Sequence, residues 1–249
     1  MFSKETIREI SAVAKTLDIE PAALLAIAEV ESAGKAYALV KGRKEPMVRF
    51  EGHYFDRRLS PDNRAKARAQ KLSSPAAGGV PNPKTQEARW RLLERAAAID
   101  RKAAYESVSW GLGQVMGTHW AWLGFANVEA LVRQARSGVA GQTRLMERYI
   151  EKSGLVPAIR RHDWDAFARG YNGPDYKRHA YHTKIAAAYK RYRASETDNA
   201  TAASPAGGAP ARSEISPTVA LPGAAPAKTV QAGGWRAMLR KLANLLWRG

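Results

Sequence analysis

The sequence predicts a mainly all-α domain with a small extended or hairpin segment, then a disordered linker and a C-terminal amphipathic helix. Three observations predict this. Apolar residues recur at helical spacing in one segment after another across residues 1–195. One region, 35–59, breaks that period: Met47, Val48, Phe50, Tyr54 and Phe55 crowd together, and Pro46 forbids a helix running through. From about Ser195 the chain turns to Ser, Ala, Pro, Gly and Thr, as flexible linkers do.

The elements follow in order. Residues 1–17 read as a capped amphipathic helix, with Ser3 or Thr6 as the cap and Ile7, Ile10, Val13 and Leu17 on one face. This opening has no apolar signal core and carries acids early, so it does not read as a targeting peptide. The next helix starts at Asp18 or Pro21 and stops near Gly34, with Leu24, Ile27, Ala28 and Glu31 on one stripe. Region 35–59 is expected to be extended or hairpin-like, then briefly helical. Region 60–83, rich in Ser, Pro, Gly and Lys, is expected to be an exposed loop with a turn or two of helix. A single helix is expected over 85–104.

Between Glu106 and Gly117 the chain reads Glu-Ser-Val-Ser-Trp-Gly-Leu-Gly-Gln-Val-Met-Gly, a glycine density that suits close approach of backbone or ligand. Helices are predicted from Val128, from Ala140 and from Leu155. Asp163 caps a short helix that opens onto the turn signature Tyr171-Asn172-Gly173-Pro174. A helix over 180–192 closes the domain. Residues 196–234 are the linker. In 235–249, Trp235, Met238, Leu239, Leu242, Leu245 and Leu246 form one face and Arg236, Arg240, Lys241 and Asn244 the other, the pattern of a basic helix lying on an anionic membrane; the alternative is a helix that docks back on the domain or pairs with a copy of itself. No stretch is long enough to cross a bilayer.

Composition narrows the chemistry. Forty Lys and Arg against 23 Asp and Glu give a formal charge of +17, which seeks polyanions: nucleic acid, anionic lipid or wall polymers. Without cysteine there are no disulfides and no thiolate metal sites. His179 and His182 sit three apart but have no third ligand, so no metal is expected. No helix-turn-helix, zinc or RNA-binding signature accompanies the charge, so no specific nucleic-acid partner is expected.

Glu31 ends an apolar stripe and is followed by Ser32. A carboxyl group at such a lip is partly desolvated, which raises its pKa and suits a general acid. Glu29, two positions away, lies on another face and reads as structural or solvent-facing. Glu45, Glu51 and Asp56 are candidates for a second carboxylate. Glu51 is preferred because Phe50 and Tyr54 flank it and Arg49 and His53 can orient it; the alternative is that Arg49 and Glu51 form only a structural ion pair.

Glu31-Ser32, Trp110-Gly-Leu-Gly-Gln114-Val-Met and Gly170-Tyr171-Asn172-Gly173 resemble, in that order, the motifs of the lysozyme-like superfamily in its goose-type and soluble lytic transglycosylase branch. With Arg49-Phe-Glu51-Gly-His53-Tyr-Phe the chain is still more similar to the phage-type N-acetylmuramidases, over about residues 1–195. The resemblance implies a lysozyme-like bundle that cleaves peptidoglycan between N-acetylmuramic acid and N-acetylglucosamine. Glu31 is then the general acid, Gln114, Tyr171 and Asn172 line the cleft, and no cofactor is needed. Gln114 is a ligand for an N-acetyl group; Ser32 and His53 are further substrate contacts, and Tyr171 offers its hydroxyl to the reacting centre. Gly113 stands where the family has Met, and Gly170 and Gly173 where it has Ala. Such an enzyme is expected to be monomeric and made in the cytoplasm, and to reach the wall after release. Its tail would bind anionic inner- or outer-membrane lipid. If no second carboxylate is in position, the sugar's own 6-hydroxyl attacks and the product is a 1,6-anhydro sugar. A non-enzymatic nucleic-acid binder and a tail acting alone as an antimicrobial peptide are the remaining alternatives.

Overall fold

The structure, a computed structural model, describes residues 1–202. The linker and terminal helix predicted beyond that point lie outside the described residues. Among the described residues eleven α-helices and five short strands surround two large apolar cores.

The first core is built on α2 (Pro21–Ser32), which Pro21 starts at its first position. Ala33 and Gly34 end it in the left-handed region, with the Gly34 amide bonded to the Glu29 carbonyl. The sequence stripe predicted one buried face, but every residue from Ala22 to Ala28 is buried. Four alanines among these residues let neighbours approach from all sides: α1 (Lys4–Ala14, capped by Ser3), α8 (Val139–Lys152), α10 (Trp164–Asn172, capped by Asp163) and α11 (Tyr181–Ala202) share the core. Glu29 is structural. It accepts from the Tyr192 hydroxyl at 2.6 Å and pairs with Arg191, tying α11 to α2.

The second core lies under two antiparallel sheets. β1 (Ala38–Val40) and β2 (Arg43–Glu45) form the expected hairpin, turning at Lys41 and Gly42, both at positive φ. β3 (Val48–Phe50) pairs with β4 (Val108–Trp110), which pairs with β5 (Val115–Met116). The last two strands come from the glycine-rich stretch, where the sequence pattern showed none. The expected short helix follows β3 as α3 (Gly52–Arg58).

Region 60–83 differs from expectation. It holds α4 (Pro61–Ala69), longer than the turn or two foreseen, because Ser60 caps it and Pro61 starts it. The remainder is not simply exposed: Leu72 and Val80 are buried, and the Asn82 side chain bonds both the amide and the carbonyl of Phe50, extending the sheet edge. The single helix expected over 85–104 is two, α5 (Gln86–Ile99) and α6 (Arg101–Glu106). Asp100 breaks it by taking an extended conformation and accepting from the Ala103 amide at 2.9 Å, a cap that competes with helix continuation. α7 (Val128–Arg136) and α9 (Val156–Arg160) fall where predicted. α11 runs to Ala202, so helical backbone continues past Ser195, where composition suggested linker. No helix among the described residues is long and apolar enough to cross a membrane.

Candidate active site

The last turn of α2 brings Glu31 to a point where, among the described residues, no cation pairs with it. Its side chain is buried, and burial pushes its pKa up to about 7. The one opposing influence is a hydrogen bond from Asn172 Nδ2 to Oε1, at 2.7 Å. Asn172 ends α10, just before Gly173 (φ 83°) turns the chain away. Its own Oδ1 is buried without a hydrogen-bond partner, so this amide serves Glu31 and leaves an acceptor unused. Ser32 turns inward, its hydroxyl donating to the Ala28 carbonyl at 2.7 Å. It completes the helix instead of facing outward.

Tyr171, one residue before Asn172, joins the glycine-rich loop to α10. Its hydroxyl donates to the Gly113 carbonyl at 2.7 Å, and burial holds its pKa well above the ordinary phenol value. Glycine at 113 is required by this packing. A Cβ there would lie 2.6 Å from Met146 Cβ and 2.9 Å from the Tyr171 hydroxyl, so the Met146 side chain and the phenol fill the space a side chain at 113 would need. Gln114 follows at φ 46° and donates its Nε2 to the Gly111 carbonyl at 2.8 Å. One of its N–H groups is thus spent on holding the loop.

The three second-carboxylate candidates separate clearly. Glu45 is locked by Arg136, whose Nε donates to it at 2.8 Å. Asp56 accepts twice from Arg68 and once from Ser73, and the Arg68 hydrogen bonds hold its pKa below the usual carboxylate range. Glu51 is different. Arg49 Nε donates to its Oε1 at 2.8 Å and His53 Nδ1 stands 3.6 Å from Oε2, yet burial outweighs Arg49 and raises its pKa. Sequence reasoning foresaw both neighbours.

Two tyrosines complete the surroundings without any motif to announce them. Tyr149, on α8, has its ring centroid 5.2 Å from that of Tyr171, and Glu31 helps to raise its pKa, after burial. Tyr181, the first residue of α11, senses Glu31, which raises its pKa, and Arg49, which lowers it; burial is the larger cause. The Glu31 carboxyl and the Arg49 guanidinium therefore act on a common phenol. A cavity of about 390 Å³ beside the end of α2 has Glu29 and Tyr181 in its wall, but not Glu31. Among the described residues no three His, Cys, Asp or Glu side chains are grouped as metal ligands would be.

A family model described as N-acetylmuramidase matches residues 20–193. Among solved structures, the crystal structure of Burkholderia AP3 phage endolysin is similar, with 31% identity and a TM-score of 0.64. The match covers 75% of this chain and 71% of that one. No curated protein matches. Since the family model spans most of the chain, including every motif gathered around Glu31, the chain belongs to the N-acetylmuramidase family, glycosidases of the endolysin type that cleave peptidoglycan.

Proposed function

We propose that this muramidase hydrolyses its bond with Glu31 as general acid and Glu51 as the base that activates water. The observation that carries the reading is the buried Glu31 carboxyl, whose pKa near 7 leaves about half of it protonated at neutral pH, as a general acid requires. Cleavage needs a proton on the leaving oxygen and stabilisation of an oxocarbenium-like centre. Glu31 gives the proton. Asn172, donating to its Oε1, fixes the carboxyl's direction and favours the carboxylate left behind.

Glu51, oriented by Arg49, takes a proton from a water on the opposite face of the sugar, which inverts the anomeric centre. Tyr171 acts as a positioning residue, because its proton is committed to Gly113 and its place in α10 sets that of Asn172. Gln114 presents its remaining amide hydrogen and carbonyl to an N-acetyl group. His53 contacts the sugar beside Glu51, and Ser32 serves by finishing the helix that carries Glu31. No cofactor takes part. The enzyme works as a monomer, and its 235–249 tail binds anionic membrane lipid while the domain reaches the wall after release from the cytoplasm.

Turnover of purified peptidoglycan by two variants tests the assignment. General acid–base groups contribute about 10²–10⁴-fold, so Glu31→Gln and Glu51→Gln should each lower kcat by roughly that factor. A fully active Glu31→Gln overturns the reading. A fully active Glu51→Gln removes the water-activating base, and the sugar's own hydroxyl becomes the nucleophile.

A further inference from the structure

Four tryptophans near the motifs have rings large enough to stack on sugars, and their surroundings separate them. Trp110 and Trp164 are buried, and Trp120 donates its indole N–H to Glu106 at 2.8 Å. Trp122 is 40% exposed, one of few large apolar side chains so open among the described residues. Exposed alone, a tryptophan needs no explanation. This one is joined to the active site.

Its ring centroid lies 5.6 Å from that of His119 and 5.7 Å from that of Tyr149, at interplanar angles of 63° and 78°, so neither neighbour lies flat against the indole. His119 and Tyr149 also meet each other, at 5.5 Å. Tyr149 packs against both apolar cores and meets Tyr171, whose chain neighbour Asn172 holds Glu31. A line of rings therefore runs from Tyr171, the chain neighbour of the residue that holds the acid, to an open indole. Burial keeps His119 neutral, with a pKa of about 4, so that line carries no imidazolium charge at working pH.

We propose that Trp122 is the floor of an outer glycan subsite, stacking on the C–H face of a pyranose in the strand that Glu31 cleaves. The proposal rests on the muramidase reading above. A glycan strand extends beyond its scissile bond, so an open apolar ring packed, through Tyr149 and Tyr171, against the site of the acid is placed to meet a further sugar. A pyranose offers an apolar face with a polar rim, which suits a flat indole on an otherwise polar surface. Continuity with the Glu31 site selects this occupant over a protein partner or a second copy.

The test is kinetic and spectroscopic. On purified peptidoglycan, Trp122→Ala should raise KM about tenfold, equivalent to roughly 1.4 kcal/mol, while kcat falls less than about twofold. Trp122→Tyr should recover most of the loss, and both variants should melt with the wild type. In a Glu31→Gln background, soluble wall disaccharide oligomers should shift tryptophan emission to the blue, and a further Trp122→Phe change should abolish that shift. An unchanged KM, with an emission shift that survives loss of Trp122, overturns the proposal. Self-association that disappears in Trp122→Ala also overturns it, by giving the face to a second copy. Failure of the muramidase reading looks different: a wild type that solubilises no wall, or a Glu31→Gln variant as active as wild type, whatever Trp122 does.

Discussion

Glu31 owes its raised pKa to burial and not to a charged neighbour, and this has consequences that can be measured on one residue. Its pKa rises from 4.5 to about 7 on folding. The folded protein therefore holds the proton more tightly than the unfolded chain, and stability falls as pH rises from about 4.5 to 7. The loss is on the order of 3 kcal/mol. Glu31→Gln cannot ionise and escapes it. Its Tm should equal that of wild type near pH 4 and exceed it at pH 8 by roughly 6–12 °C. Equal melting at both pH values would show that the carboxyl is solvated.

In activity the same residue sets the basic limb of the pH profile, near 7, above which the acid has lost its proton. The Asn172 bond lowers that pKa, so Asn172→Leu, which removes the donor and keeps the site dry, should move the basic limb upward. A kcat profile recorded across the limb checks this. On the acid side Glu51 must be ionised to act as base. Burial raises its pKa, so the acid limb should fall above the ordinary carboxylate value.

Among the elements, the glycine-rich segment carries the sharpest constraint. Gly113→Ala would drive a methyl group into Met146 and the Tyr171 hydroxyl, displacing α10 and Asn172 with it. Overpacking of this kind costs about 1–3 kcal/mol, readable in urea melts, and turnover should fall further than stability explains because Glu31 loses its partner.

The elements also show what a sequence can carry. Glu31, Tyr171, Asn172 and the Arg49–Glu51 pair were legible because each lies in a short motif with local chemistry. The caps at Ser3 and Asp163 were legible for the same reason. β4 and β5 were not, since their pairing, such as Val48 with Trp110, joins distant parts of the chain and leaves no periodicity in so few residues. Asp100 was missed because good helix formers on both sides hid a cap. Tyr149 and Tyr181 lie on ordinary helices, and only packing brings them to Glu31.

At the scale of the molecule, two cores meet along Tyr149, which packs against both, and the candidate site lies beside that ring. A chain of charge +17 attracts polyanions in general, an effect that weakens with salt. Removal of residues 235–249 should leave digestion of purified peptidoglycan within about twofold of wild type, since the family match ends at 193, and should reduce killing of intact cells. Loss of digestion in that truncation would tie the tail to the catalytic domain.

The most direct test of the account is digestion of purified peptidoglycan in ¹⁸O-labelled water, with the soluble products weighed by mass spectrometry. The account predicts reducing N-acetylmuramic acid ends carrying one ¹⁸O, formed by wild type and absent with Glu31→Gln. Unlabelled 1,6-anhydro ends, or labelled ends that persist in the Glu31→Gln digest, would contradict it.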